Sequence, residues 1–207
     1  VAARCVASGG YDRELVIGAE VLSRITDWTD RSTCVLFGDG AGAALVGPVS
    51  EGRGLLSSDL GAEGAQGHLL TLPAGGSLLP ASVETVEGRK HFISMQGNDV
   101  FKFAVRIMAE TTLTSLKKCS LGPEDIDVFI PHQANTRIID AALKRLDIPK
   151  EKVLINVQKY GNTSAASVPI ALNEALQADM IKDDNVVALV GFGAGLTWAS
   201  AILRWGR

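Results

Sequence analysis

The chain has 207 residues, 46% of them hydrophobic and 21% charged, with a formal net charge of −3. That length supports a sizeable buried core, and the weak acidity excludes a broad attraction to nucleic acid or anionic membrane, leaving any anionic partner to a local basic patch. No apolar run reaches the roughly 18 to 20 residues of a bilayer span, and the first residues lack the basic-then-apolar pattern of a secretory signal.

Residues 1–8 read as the last turns of a helix stopped by Gly9 and Gly10. With no Met, no capping residue and no earlier element to pack against, residues upstream are expected to be missing from this sequence. Residues 14–19 form a short apolar run between turn residues, the pattern of a buried strand. A second strand is expected to begin at Cys34 and lead into Gly38-Asp39-Gly40-Ala41-Gly42-Ala43, whose small residues permit close backbone approach. Residues 52–58 could add another strand. Residues 61–90, rich in Gly, Pro, Ser and Glu, read as a connecting segment.

From Gly97 the period becomes helical, with Val100, Phe101, Ala104, Val105, Met108, Thr112, Leu113 and Leu116 on one face. A strand over 126–130, a helix stripe of Ile138, Ile139, Ala142, Leu143 and Leu146, a strand over 153–155 and a helix over 167–178 follow. Strands over 185–190 and 197–203 close the chain. This alternation predicts an α/β architecture with a mixed sheet covered on both faces. The last two strands, joined only by a Gly-rich turn, must be antiparallel.

Three loops carry candidate chemistry. His132, in Pro131-His132-Gln133-Ala134-Asn135, stands at a strand's carboxyl end, the edge where open α/β sheets bind ligands. Arg137 projects away from the apolar stripe of its helix, either as a solvated charge or as a phosphate contact at the rim of a site. Asn162, in Gly161-Asn162-Thr163-Ser164-Ala165-Ala166-Ser167, is expected in a strand-to-helix turn at the same edge. Gly191-Phe192-Gly193-Ala194-Gly195-Leu196-Thr197-Trp198 follows the next strand, and its backbone N–H groups could face a developing oxyanion. Each segment alone also has a purely structural explanation. Together, an imidazole, a carboxamide and free N–H donors suit acyl chemistry on a thioester. Metal-ligand spacings and a dinucleotide fingerprint are missing, so neither metal nor cofactor is expected. Cys5, Cys34 and Cys119 form no paired motif, which favours a reducing, cytoplasmic compartment.

These three motifs, with Phe37-Gly38-Asp39-Gly40-Ala41-Gly42-Ala43, make the chain resemble the C-terminal part of β-ketoacyl-(acyl-carrier-protein) synthase III over its whole length. The resemblance implies a thiolase-like α/β fold of two similar halves, here the end of the N-terminal half over 1–60, a connecting segment over 61–90 and the C-terminal half over 91–207. It implies condensation of an acyl-CoA primer with malonyl-acyl-carrier-protein, in a cytoplasmic homodimer without nucleic-acid or membrane partners and with acyl-CoA as substrate rather than cofactor. By motif, His132 and Asn162 would stabilise the thioester enolate oxygen, and the Ala194 N–H, where many relatives have Gly, would serve an oxyanion hole. Asn98 resembles a pantetheine contact, Arg31 a residue stacking on the CoA adenine, and Arg137 a contact for carrier protein and phosphopantetheine.

One departure matters. The family's nucleophilic cysteine lies in an Ala-Cys-Ala/Ser-Gly-Phe-like segment, and none of the three cysteines here has those surroundings. The 207-residue polypeptide alone is therefore expected to be inactive in condensation, because it cannot form an acyl-enzyme. Two alternatives keep the fold: a ketoacyl synthase of secondary metabolism, and a non-catalytic half that binds carrier protein or contributes a dimer interface.

Overall fold

Strand and helix alternate as the periodicity predicts in the computed structural model, which describes residues 1–206. The elements are α1 (Ala2–Ala7), β1 (Glu14–Val21), β2 (Asp39–Val46), β3 (Gly54–Ala62), β4 (Leu70–Thr71), α2 (Val83–Glu87) and β5 (Ser94–Met95). They continue with α3 (Gly97–Lys118), β6 (Val128–Pro131), α4 (Thr136–Leu146), α5 (Val157–Tyr160), α6 (Ser167–Gln177), β7 (Val186–Gly193) and β8 (Thr197–Arg204).

The central sheet has the order β3-β8-β7-β6. Strands β6 and β7 are parallel, in register from Val128↔Val187 to Pro131↔Val190, and the crossover that a parallel pair requires runs through α4, α5 and α6. Strands β7 and β8 are antiparallel, as their short turn dictates. All four residues of β6 are buried, and the pleat sends alternate side chains to opposite layers. Phe129, Ala188, Val190 and Ile202 pack against α3 and α4. Val128, Ile130 and Val187 pack against α6 with Ala171, Ala175 and Ile181. Burying each large apolar side chain contributes roughly 1.5–3 kcal/mol, so these two layers hold β6 and the residues that follow it firmly in place.

Helix α3 departs from the predicted single stripe. Leu113 is 42% exposed, while Phe103 and Ile107, outside that stripe, are buried at 4%. The cause is a second contact surface: Val100, Phe103 and Ile107 pack with Leu69 and Leu196, while Ala104, Val105, Met108 and Leu116 face the sheet.

The first two strands pair only with each other, from Glu14↔Val46 to Val21↔Asp39. Strand β1 is not buried as its apolar run suggests: Leu15, Val16 and Ile17 are exposed and Gly18 alone in β1 is buried. Its close packing is made by glycine instead, because a Cβ on Gly18 would strike the Ala165 carbonyl. Cys34 does not begin a strand. It lies in a run of turns, and Phe37 makes only an isolated bridge to Asn162.

The strand expected over 153–155 reduces to one parallel bridge, Phe129↔Val153. Fully buried Gln133 replaces the ladder beyond it. Its Nε2 donates to the Leu154 carbonyl at 3.1 Å, and its Oε1 accepts from the Asn156 and Val157 N–H groups at 2.9 and 3.2 Å. The backbone is thereby turned into α5.

Strand β3 begins before residue 60 and pairs with β8, from Gly54↔Arg204 to Ala62↔Thr197, so it belongs to the C-terminal sheet. The chain between β3 and α3 places Leu69 in the core and Leu70 and Leu72 on the wall of the cavity described next.

Candidate active site

Beyond the ends of β6 and β7 lies a cavity of about 1100 Å³ whose lining includes His132, Asn162, Phe192, Ala194, Asn98 and Arg137. The His132 N–H donates to the Val190 carbonyl at 2.7 Å, extending the parallel ladder one residue past Pro131. The chain then turns sharply, and Asn135 starts α4 by accepting the Arg137 N–H on its Oδ1 at 2.8 Å.

The His132 ring is buried, with 8% residual exposure. Its Nδ1 lies 2.5 Å from the Ser167 hydroxyl, and the Phe192 ring meets it edge-on at a centroid distance of 5.3 Å. Burial disfavours the imidazolium and lowers the pKa to about 4. At neutral pH the ring is therefore uncharged, a hydrogen-bonding group rather than a cation.

Asn162 follows Gly161, whose φ of 69° closes the end of α5 in a region that side chains rarely adopt. The sequence pattern predicts a strand before this turn, but α5 precedes it. Its backbone is pinned on both sides: the Asn162 N–H donates to the Leu36 carbonyl at 2.8 Å, and its carbonyl accepts the Gly38 N–H at 2.9 Å. The side-chain Oδ1 accepts the Ser164 N–H at 2.9 Å. Among the described residues, this leaves the Nδ2 hydrogens as the donors that Asn162 offers to the cavity.

Ala194 sits in the β7–β8 turn, its carbonyl accepting from Thr197 Oγ1 at 3.0 Å. Arg137 is exposed on the rim, its guanidinium 5.6 Å from the Phe101 ring centroid, in keeping with the outward direction read from the helix period. Asn98, at the start of α3, lines the same cavity. The structure thus brings together His132, Asn162, Ala194, Asn98 and Arg137. It does not bring Arg31 to the wall: Arg31 is exposed, and its neighbour Ser32 is the lining residue.

None of the three cysteines lines this cavity. Cys119 donates from the end of α3 to the carbonyls of Ser115 and Leu116. The Glu14 carboxylate beside Cys5 pushes its thiol above the usual range, the opposite of what a nucleophile requires.

Ser167, Gln133 and Glu174 support this site through their hydrogen bonds and were not singled out by sequence reasoning. Glu174 Oε2 accepts from Asn156 Nδ2 at 2.7 Å, and Oε1 accepts from Tyr160 and Lys159 at 2.6 and 2.9 Å, which fastens the loop before Asn162 to α6. A serine opening a helix and a half-buried glutamate within it give no signal in periodicity. Their partners are set by the tertiary fold.

Two family models match the chain: 3-Oxoacyl-[acyl-carrier-protein (ACP)] synthase III C terminal over residues 116–205, and 3-Oxoacyl-[acyl-carrier-protein (ACP)] synthase III over residues 1–64. A β-ketoacyl-[acyl-carrier-protein] synthase III of Natranaerobius thermophilus is 58% identical over 99% of this chain and 63% of its own length. The chain belongs to the β-ketoacyl-[acyl-carrier-protein] synthase III family.

Solved structures agree. The β-ketoacyl-[acyl carrier protein] synthase III of Thermus thermophilus superposes with a TM-score of 0.91 at 51% identity, covering 99% of this chain and 63% of that one. A priming β-ketosynthase from the R1128 polyketide biosynthetic pathway superposes with a TM-score of 0.87 at 36% identity, covering 98% and 60%. The mixed α/β architecture is that of the thiolase-like synthase III structures. The chain spans about 63% of the length of the synthase III relatives it matches.

Proposed function

We propose that these residues form the decarboxylation side of a β-ketoacyl-(acyl-carrier-protein) synthase III site, which condenses an acyl-CoA primer with malonyl-acyl-carrier-protein to initiate fatty-acid synthesis. The observation that carries this is the juxtaposition of a buried, neutral His132 with Asn162 on one cavity wall. In the proposed reaction the bond between the malonyl α-carbon and its carboxylate breaks, CO₂ leaves, and the electron pair passes to the thioester oxygen. Ring N–H and carboxamide N–H donors stabilise that enolate without a net positive charge that would instead hold the departing carboxylate. The enolate carbon then attacks the primer thioester carbonyl, whose oxyanion the Ala194 N–H would meet, and the primer's thiolate leaves.

The cysteine that would carry the primer comes, on this proposal, from outside these 207 residues, because none of the three cysteines present lines the cavity. Arg137 and Asn98 would hold the phosphopantetheine arm, Arg31 the CoA adenine. Homodimerisation, acyl-CoA as substrate with no further cofactor, and a cytoplasmic location complete the proposal. The three free cysteines support that location, and no helix among the described residues is long and apolar enough to cross a membrane.

The test is malonyl-acyl-carrier-protein decarboxylation by the synthase that contains this chain. His132→Ala and Asn162→Ala are each expected to lower kcat about 10²-fold to 10³-fold. An unchanged rate in both would overturn the assignment. The likeness to the polyketide-priming enzyme favours a second reading, a starter synthase of secondary metabolism. Turnover with acetyl-, branched- and longer-chain CoA primers separates the two.

A further inference from the structure

The hydroxyl of Ser167, at the start of α6, meets His132 Nδ1 at 2.5 Å in a place where both residues are buried. Its only other partner among the described residues is the Gln133 backbone N–H, which donates to Ser167 Oγ at 3.4 Å. An N–H already occupies one lone pair of that oxygen. The hydroxyl proton has one acceptor within reach, the His132 Nδ1. If Nδ1 were itself protonated, the serine proton would be buried with no acceptor, an arrangement folded proteins avoid.

We propose that Ser167 is a positioning residue which holds His132 in the tautomer protonated on Nε2, so that a ring N–H always faces the cavity. The assignment rests on the reading of His132 as the donor to the enolate oxygen. It deepens that reading by naming the residue that decides which nitrogen carries the proton. The Phe192 ring packs edge-on against one side of the imidazole, and the Ser167 hydroxyl holds its Nδ1. The same bond ties the chain after β6 to the first turn of α6.

The experiment uses the synthase containing this chain, labelled with ¹⁵N on the imidazole rings. His68 and His91 are the other histidines of the chain, and the resonances that vanish in His132→Asn identify His132. The expected result is an unprotonated, acceptor-type shift for Nδ1 and a protonated, pyrrole-type shift for Nε2. A protonated Nδ1, or an even mixture of tautomers, overturns the proposal without any activity measurement. In Ser167→Ala the Nδ1-protonated form is expected to appear, with kcat for malonyl decarboxylation about tenfold lower and KM unchanged. Ser167→Thr, which keeps the hydroxyl, is expected to restore both. If Ser167→Ala fails to fold, the wild-type spectrum and Ser167→Thr still decide. If His132→Ala decarboxylates as fast as wild type while the wild-type tautomer is as expected, the catalytic reading fails and the tautomer assignment stands.

Discussion

The Tyr160 hydroxyl donates to Glu174 Oε1 at 2.6 Å, joining the residues just before Asn162 to the middle of α6. The Tyr160 hydroxyl, with the Asn156 amide and the Lys159 ammonium, holds the Glu174 carboxyl at about 2, well below the usual range. Glu174→Ala is expected to cost about 2 kcal/mol, the scale of losing hydrogen bonds to a charged group. Urea unfolding of wild type and variant measures it. Because the folded carboxylate has the depressed pKa, this stability is present above the unfolded value of 4.5 and is lost as pH falls from there toward about 2. The two unfolding curves are expected to converge over that interval.

His132 gives a pH dependence by a different route. Its folded pKa of about 4 lies below the ordinary 6.5 because burial excludes the charged form. Below 6.5 the unfolded chain takes up a proton that the folded chain refuses, so stability falls as pH drops from 6.5 toward 4. Between about pH 7 and pH 5 wild type is expected to lose roughly 2 kcal/mol through this residue alone. His132→Gln, matched in other respects, is expected to lack that part of the slope in paired denaturation series.

Much of this site was legible because its signals are local. The strand before His132, the outward placement of Arg137 and the antiparallel β7–β8 pair follow from period and turn length over a few residues. The failures are tertiary. The apolar residues of β1 read as buried, yet the contact that seats the strand is made by Gly18 against the Ala165 carbonyl. Residues 153–155 have the composition of a strand, but the Gln133 side chain takes the hydrogen bonds that a ladder would have used. Ser167 is 35 positions from His132, beyond the range of any spacing rule.

A Cβ on Gly38 would overlap the Tyr160 carbonyl oxygen, a backbone atom that cannot swing aside. Gly38→Ala is expected to cost about 2–3 kcal/mol, in the range of overpacked sites, and to lower kcat by moving Asn162, whose carbonyl accepts the Gly38 N–H. Gly64→Ala, where an added Cβ meets nothing within 4 Å, is expected to stay within about 0.5 kcal/mol of wild type. Thermal unfolding of the pair checks the contrast.

If the rim cation holds the carrier-linked phosphate, Arg137→Ala should raise KM for malonyl-acyl-carrier-protein about tenfold, the loss of one charge-assisted contact. Its kcat and melting temperature should change little, because Arg137 is exposed and its guanidinium lies over the Phe101 ring. Steady-state kinetics with the free and carrier-linked malonyl thioesters distinguish this from a general loss of activity.

Leu15 and Ile17 are 61% and 63% exposed on a strand with one unpaired edge. An exposed apolar strand of this kind promotes association between chains. The 207-residue polypeptide is expected to self-associate with rising concentration, and Leu15→Lys with Ile17→Lys to suppress this without lowering the melting temperature. Light scattering alongside thermal unfolding reads both.

The pairing of β3 with β8 has a consequence for synthesis on the ribosome. Gly61 finds its neighbour in Trp198, and Leu55 in Leu203, so strand β3 emerges long before the strand that completes it is translated. At elongation rates of roughly 5–20 residues per second that wait is on the order of ten seconds. The cavity wall cannot close until the last turn and strand have left the tunnel. Premature termination anywhere before β8 leaves β3 without its neighbour in the sheet.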